Sequence, residues 1–598
     1  MRNFSVQRKL LALTAFAASL ILPACTQLKT PQSEPFFAET KPPAKQEFRW
    51  SNGKQPKSFD PALAAAAPET DIARAIFEGL TDLDPKTLKE IPAAAKKWSH
   101  SEDLRTWRFY LRDDAVWSNG KPVVAQDFVR SWNRLIELGD KTAHRDLLLN
   151  LKGFQDKKVQ KNEPVTSAPD FLQSTEPATI VPDATESPVP SPSPLMSPSQ
   201  ETKPGESKPD AGVVAESETV LRVELIHPDK DLPKLVAHPI FRPVFDDGSS
   251  FAEERPESRM VTNGPFKFSS MDGKGLTLDR SENYWDRESV KLERVHFVTA
   301  QTPEKALDAY RAGDVDAVTN AEFSPAALKL LEPYDDFRRT SHSAVNLYEF
   351  NLTKAPFNDR RVRQALSIAI EREKLTEGEL QGTTRPATSF LPLGNSPETR
   401  IVQDAQKALS LLDEAGFPNG KGFPVIRLLI NRNDVQQRIA RSVAAMWKQN
   451  LNLETEIIVK EGVELEEAKA AGEYEAVRRG IVLPTADETA NFLAIFHSDA
   501  SVTGETTTDS IGLTRQVFRI GQPTPHLLES RKIEGKQSIQ EDATILSEED
   551  ALYELRAIPL YFPTSYSLAK GYVKGFDSNI LDSPSLKDVE IDSDWRTK

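Results

Sequence analysis

The sequence predicts an α/β fold, and three observations predict it. Residues 425–430 form an apolar run of strand length, residues 435–449 carry helical periodicity, and residues 453–459 return to a run rich in β-branched residues. That strand–helix–strand order implies a parallel pair joined by a right-handed crossover. Helices and strands are also mixed along the ordered parts of the chain, rather than gathered into separate blocks. Finally, a single cysteine in 598 residues excludes an internal disulfide, whereas 38% hydrophobic residues, with eight tryptophans and 29 phenylalanines, suffice for large cores. Stability must therefore come from packing.

Taken in order, residues 69–80 place Ile72, Ile76, Phe77 and Leu80 on one helical face. Trp107 to Arg112 alternate as a strand. Asn119-Gly120, after Val116-Trp117, is a hairpin turn. Residues 126–138 align Phe128, Trp132, Leu135 and Ile136. Residues 303–318 hold an amphipathic helix with Ala306, Leu307 and Tyr310 apolar, followed by Gly313 to Asp316. Residues 405–415 are a helix closed by Gly416, and Asp434 is placed to cap the helix that starts at Val435. Asn52-Gly53 and Asn419-Gly420 are further turns. The recurring Asn-Gly-Lys triplets keep no period, so they are not a repeat, and no phosphate-binding loop surrounds their lysines.

Two stretches resist folding. Residues 26–45 are polar and proline-rich and read as a flexible tether. Residues 161–216 centre on a Pro/Ser run beginning at Pro188; such a composition cannot bury enough apolar surface to offset its ordering entropy. Ordered patterns resume on both sides, so the segment is expected as a disordered insertion within a domain. It is either a tolerated surface loop or a spacer that binds a partner.

A net charge of -14 and a pI near 5.3 argue against a nucleic-acid or anionic-lipid surface. The eight histidines are scattered without metal-ligand spacing, and no Cys/His cluster exists, so no metal and no cofactor is expected. No nucleophile elbow, His-Glu-x-x-His pair or dinucleotide fingerprint appears. Paired acids such as Glu466-Glu467 and Glu548-Glu549 read as solvated helix surface. No catalytic residue is assigned, and an enzyme is the weaker class of function.

The chain opens with Arg2, Arg8 and Lys9, then an apolar run from Leu10 to Leu22, then Pro23-Ala24-Cys25. A positive segment, a short apolar segment and a small residue before the cut make a secretory signal, too short to span a membrane. The Leu-x-Ala-Cys ending resembles a bacterial lipoprotein box, which implies cleavage before Cys25 and acylation of that residue. The expected location is the cell envelope, with acyl chains as the only membrane attachment.

Several blocks, in order, resemble the extracytoplasmic solute-binding proteins of peptide ABC importers. Ser58-Phe-Asp-Pro-Ala62 leads into Ile76-Phe-Glu-Gly-Leu80. Leu111 to Trp132 resembles the most recognisable block of that family. Thr262-Asn-Gly-Pro-Phe-Lys267, Glu282-Asn-Tyr-Trp-Asp286, Asn351 to Leu366, Ile558-Pro-Leu-Tyr561 and Tyr572-Val-Lys-Gly-Phe576 follow. The resemblance implies a type II-like two-lobe periplasmic-binding-protein fold with the extra domain of the peptide-binding cluster. Residues 46–75, 217–300 and 569–598 would form the first lobe, 76–216 its extra domain, and 301–568 the second lobe. It also implies a monomer that captures a peptide between the lobes and delivers it to a membrane permease. A different solute (muropeptide, sugar or metal chelate) and an envelope or signalling lipoprotein that has lost transport are the alternatives.

In that family an aspartate shortly after a Gly-Trp segment takes the peptide α-amine. Here Gly480 and Phe492-Leu493 align, but the tryptophan position is Ile481 and the aspartate position falls on Pro484 or Thr485. The resemblance therefore implies an amine anchor that is either displaced to Asp487 or lost. Arg478 matches an arginine that can meet a peptide carboxylate, or else forms a surface salt bridge. Gly480, Val482 and Ala67 would offer backbone groups to a ligand strand. Tyr566 falls near hinge-side aromatics whose hydroxyl reaches a ligand main chain, or else is a core tyrosine.

Overall fold

The computed structural model describes residues 36–154, 212–248, 251, 260–392, 400–496 and 544–595, with the backbone of short strands between 501 and 521. In chain order, β1 (Glu47–Ser51) and α1 (Glu69–Ile76) precede β2 (Ala95–His100), β3 (Thr106–Leu111) and α2 (Ala125–Leu138). Next come β4 (Val213–Ser217), β5 (Val220–Glu224), β6 (Phe266–Asp272), β7 (Gly275–Arg280) and β8 (Arg294–Val298). Then follow α3 (Pro303–Ala312), β9 (Ala317–Val318), β10 (Phe337–Ser341), β11 (Ala344–Phe350), β12 (Arg385–Pro386) and α4 (Ala405–Glu414). The rest comprises β13 (Ile426–Asn431), α5 (Asp434–Leu451), β14 (Thr455–Lys460), β15 (Ala476–Val482), α6 (Glu488–Phe496), α7 (Glu548–Glu554), β16 (Ala557–Phe562) and β17 (Thr564–Ala569).

Two large sheets organise these elements. A seven-stranded sheet runs β10-β17-β9-β1-β8-β7-β6, and a six-stranded sheet runs β12-β16-β11-β15-β13-β14. A four-stranded sheet, β2-β3-β5-β4, stands beside the first. Each large sheet has its own apolar core. One core, built around Phe48, Trp50, Trp117 and Trp132, also serves the four-stranded sheet. The other is built around Tyr348, Leu428, Trp447 and Leu560. The chain passes between the large sheets at residues 342–343 and again at 563, and the His342 N–H donates to the Pro563 carbonyl at 2.9 Å, joining the crossings. This is the two-lobe α/β architecture, with a hinge at residues 342–343 and 563.

Local chemistry explains the elements. β3 buries Trp107, Phe109 and Leu111 and exposes the residues between them. α2 buries Phe128, Trp132 and Leu135, and the Trp132 indole N–H donates to the Phe241 carbonyl at 2.8 Å. β13 and β14 pair in parallel from Ile426↔Thr455 to Asn431↔Lys460, with α5 as the crossover. The cap of α5 is Asn433, one residue earlier than expected. Its backbone is extended and its side chain accepts from the Gln436 N–H, while Asp434 is already helical. α4 closes at Gly416, whose φ of +95° an L side chain rarely adopts. Within the expected 303–318 segment, α3 stops at Ala312, where Gly313 turns left-handed at φ +81°. α1 stops at Ile76, since Phe77 is extended.

Strand pairing differs from the expected boundaries. β9 pairs in parallel with β1, Trp50↔Ala317, and β17 pairs with both β9 and β10. Residues 303–341 and 564–569 thus belong with the first sheet, not with the second lobe drawn over 301–568. β10 and β11 follow one another with only two residues between them, and their partners show that they belong to different sheets. β5 pairs with β3, so the extra domain reaches residue 224 and not 216. Residues 213–216 lie in β4, so the expected disorder over 161–216 does not extend to them; residues 155–211 lie outside the described residues. The expected tether is held from Phe36 onward. The Phe36 ring packs on Trp595 at 5.5 Å, the Phe37 N–H donates to Asp336 at 2.8 Å, and Lys570 donates to the Ala38 carbonyl at 3.2 Å. Among the described residues no helix is long and apolar enough to cross a membrane.

Candidate functional site

The facing ends of the lobes enclose a cavity with unequal walls. The first-lobe wall includes Asp71 and Arg74 on α1 and His238 and Arg242 on the segment after β5; Pro484 and Thr485 of the second lobe close it. Asp71 accepts from Asn52 at 2.7 Å and from Arg74 at 3.1 Å. Burial outweighs these partners and pushes its carboxyl up to about 7. Glu78 behind it accepts from the Tyr284 hydroxyl and, at 2.7 Å, from the Trp285 indole; burial lifts it to about 7 as well. Arg242, 2% exposed, donates to the carbonyls of Arg74, at 3.0 Å, and Phe77, and lies 3.2 Å from Asp82. Burial, reinforced by the charges of His144, Arg74 and Arg242, holds His238 well below its ordinary value, so its imidazole stays neutral. This wall sets the guanidinium groups of Arg74 and Arg242 beside carboxyls that burial lifts to about 7, which suits a polar solute.

The second lobe reaches the cavity through Pro484 and Thr485, just past the end of β15, and the residues of β15 itself are not among its lining. That strand pairs with β11 along its length, from Ala344↔Val482 to Phe350↔Ala476, but with β13 only at Ala476 and Val477. Residues 478–482 therefore have no ladder partner on that edge among the described strands. Gly480 and Val482, both half-buried, lie on this stretch. Arg478 is buried, donating to Asn346 and, at 3.4 Å, to Asn431. It is not a surface ion pair. A Cβ at position 480 would stand 2.7 Å from its guanidinium, so glycine there lets Arg478 lie across the strand.

Asp487 is fully buried and turned back onto α6, where it accepts from the Ala490 N–H at 2.7 Å. It is not among the residues that line the cavity. Ala67 is half-buried just before α1, and its carbonyl accepts from Asn320 at 3.4 Å. Tyr566 lies on β17 beside the hinge. Its ring stacks on Phe337 at 5.7 Å and its hydroxyl donates across the crossing to the Thr383 carbonyl at 3.1 Å. Cys25 lies outside the described residues. The structure thus groups Arg478, Gly480 and Val482 on one strand and sets Ala67 and Tyr566 on the first-lobe sheet side. The sequence reading missed Asp71, Arg74, His238 and Arg242. The i, i+3 spacing of Asp71 and Arg74 on the polar face of a recognised helix was the available signal.

Two lobes with a crossed hinge and a cavity at their meeting define a solute-binding protein. The chain belongs to the bacterial extracellular solute-binding proteins, family 5, whose middle region matches residues 89–502. It is 27% identical over 471 residues to the periplasmic oligopeptide-binding protein OppA of Salmonella typhimurium, covering 76% of this chain and 78% of that one. It is 28% identical over 542 residues to the periplasmic murein peptide-binding protein MppA of Escherichia coli, covering 88% and 89%. In structure it is similar to the unliganded open form of the murein tripeptide-binding protein MppA, with a TM-score of 0.65 at 24% identity, covering 92% of this chain and 98% of that one.

Proposed function

We propose that this protein is the lipid-anchored extracytoplasmic binding component of an ABC importer, which captures peptides between its lobes and hands them to a permease. One observation carries the reading: among the described strands, residues 478–482 of β15 have no ladder partner on one edge, on the strand that leads into the cavity-lining Pro484 and Thr485, and an extended main chain can add there as a strand. Backbone pairing of that kind tolerates many side chains, and the mixed charges of Asp71, Arg74 and Arg242 offer partners for both peptide ends. Gly480 and Val482 supply the main-chain groups, Ala67 supplies the corresponding group from the first lobe, and Arg478 is the cation offered to the peptide carboxylate from the same strand. Tyr566 serves the hinge. No catalytic step is assigned, and the working unit is the monomer, held in the periplasm by acyl chains on Cys25.

Calorimetry with di- to hexapeptides tests the reading. Heat of binding with micromolar affinity for at least one length is expected; silence across all lengths would overturn it. Mass spectrometry of the membrane fraction tests the anchor, with a diacylglyceryl adduct on Cys25 expected and lost in Cys25→Ala.

A second solute class has a specific motivation. Asp487 is turned into a buried contact, and Pro484 stands where an acid would meet an α-amine. A peptide recognised without its free amine, such as a cell-wall peptide attached to sugar, fits that wall. N-acetylated peptides binding as tightly as free ones would favour this reading.

A further inference from the structure

The first turn of α6 is inserted into the first lobe. Ala490 is part of the first-lobe core, and the helix packs against the extra-domain turn Arg145–Leu148. Asp229, on the loop after β5, meets it there. Asp229 is 1% exposed and Asp487 0%. Each carboxylate has one oxygen satisfied by a backbone donor: Asp229 by the Asp231 N–H at 2.8 Å, and Asp487 by the Ala490 N–H at 2.7 Å. The other oxygen of each is buried without a donor, and the two side chains lie within hydrogen-bonding reach of one another. Two facing acceptor oxygens make a bond only if one holds a proton.

We propose that Asp229 and Asp487 form a carboxyl pair that shares one proton across the lobes, so that closing this contact takes up a proton and rising pH opens it. The inference is independent of which solute is bound.

Among the described residues the surroundings supply no free cation to replace the proton. Asp231 is the nearest charged group to both, and it is an acid. Lys234 at 2.7 Å and Lys230 at 3.5 Å are taken up by Asp231, and Lys230 also reaches Glu488 of α6 at 2.7 Å. From the extra-domain turn come Asp146, a further buried acid, and His144 beside it; Asn150, which meets Asp229, is neutral. Burial first, then mutual repulsion, holds Asp487 well above the ordinary carboxylate range, and burial raises Asp229 also. Separated lobes return both acids to water and to ordinary values near 4. Between that range and the raised one, closing binds one proton, and the closed-to-open ratio falls about tenfold per pH unit. Below the ordinary range both acids are neutral in either state and the penalty vanishes.

The test uses the full chain carrying Cys25→Ser, with spin labels at Glu102→Cys on the extra domain and Val463→Cys on the second lobe. Distance distributions are measured at pH 5 and pH 8 without added solute. The parent is expected to gain a longer-distance population at pH 8. Asp487→Asn keeps the pH 5 distribution at both values, because its amide donates permanently to Asp229; Asp229→Asn does the same from the other side. A parent whose distances ignore pH, or an Asn variant with a cooperative melt that opens as the parent does, overturns the proposal. Should neither variant fold, the response of the parent alone decides.

Discussion

The first-lobe wall of the cavity and the buried contact between the lobes at α6 handle buried charge in opposite ways. On the first lobe three buried ionisable groups at the cavity are answered by donors or acceptors of their own lobe: Asp71 by Asn52 and Arg74, Glu78 by Tyr284 and Trp285, Arg242 by two carbonyls. At the contact between α6 and the loop after β5, Asp487 and the first-lobe Asp229 are each left with an oxygen that no donor meets among the described residues. A wall that is complete in itself can be rigid and preformed, whereas a contact that needs both lobes to finish its polar bonding reports whether the lobes have met.

The largest expected effect strikes the complete wall. Arg242→Met leaves the Phe77 and Arg74 carbonyls buried without their donor and should cost about 3 kcal/mol of stability, read from the urea midpoint. Arg478→Met on the second lobe removes donors from the side-chain amides of Asn346 and Asn431 and should cost about half as much, about 1–2 kcal/mol. Equal losses would erase the contrast drawn here.

Proton linkage gives the next effect. Burial raises Asp71, Glu78 and Glu548, each to about 7. Above the ordinary carboxylate range the unfolded chain has released protons that the folded chain still holds, so unfolding releases protons and stability falls as pH rises through about 7. The contribution of these acids is complete only below pH 4. The melting temperature should drop between pH 5.5 and 8, and calorimetry at pH 6.5 in buffers of different ionisation enthalpy should register proton release on unfolding. Melting curves that coincide across this range would contradict the raised carboxyls.

Much of this architecture was legible from residues alone, and the boundary between legible and hidden has a physical form. α2, α4, α5 and the parallel pair β13–β14 were read within one or two residues, because each combines strong periodicity with a cap or a glycine stop. The lobe boundaries were misplaced at β5, β9 and β10, because which sheet a strand joins depends on partners hundreds of residues away. The cleft residues divide the same way. Gly480, Val482 and Arg478 sit on a strand whose likeness to a known family carried them into the argument. Arg242 and His238 were invisible, since nothing local distinguishes a buried arginine from the many exposed ones. Asp487 stands in the sequence as a candidate amine anchor or a plain loop acid; its burial against Asp229 cannot be read from one sequence.

Gly480→Ala probes β15 at its tightest point. The added methyl must displace the Arg478 guanidinium by several tenths of an ångström, and that group is confined by Asn346 and Asn431. A loss of about 1 kcal/mol in melting stability is expected. The loss of peptide affinity should be larger if β15 is the binding edge, because the displaced arginine moves toward it. Affinity unchanged within a factor of two would detach the edge from binding.

The smallest effect belongs to the ion pair that crosses the lobes in the open. Lys230 reaches Glu488 at 2.7 Å, but its side chain is 65% exposed. Such pairs contribute about 0–1 kcal/mol and weaken with salt. Lys230→Ala should therefore leave the melt unchanged and shift solute affinity by less than about fivefold, with the difference gone at 0.5 M salt. If instead this substitution opened the lobes as fully as high pH does in the parent chain, the exposed pair and not the buried acids would be the contact that senses closure. The contrast between a self-sufficient wall and a dependent contact would then rest on surface charge alone.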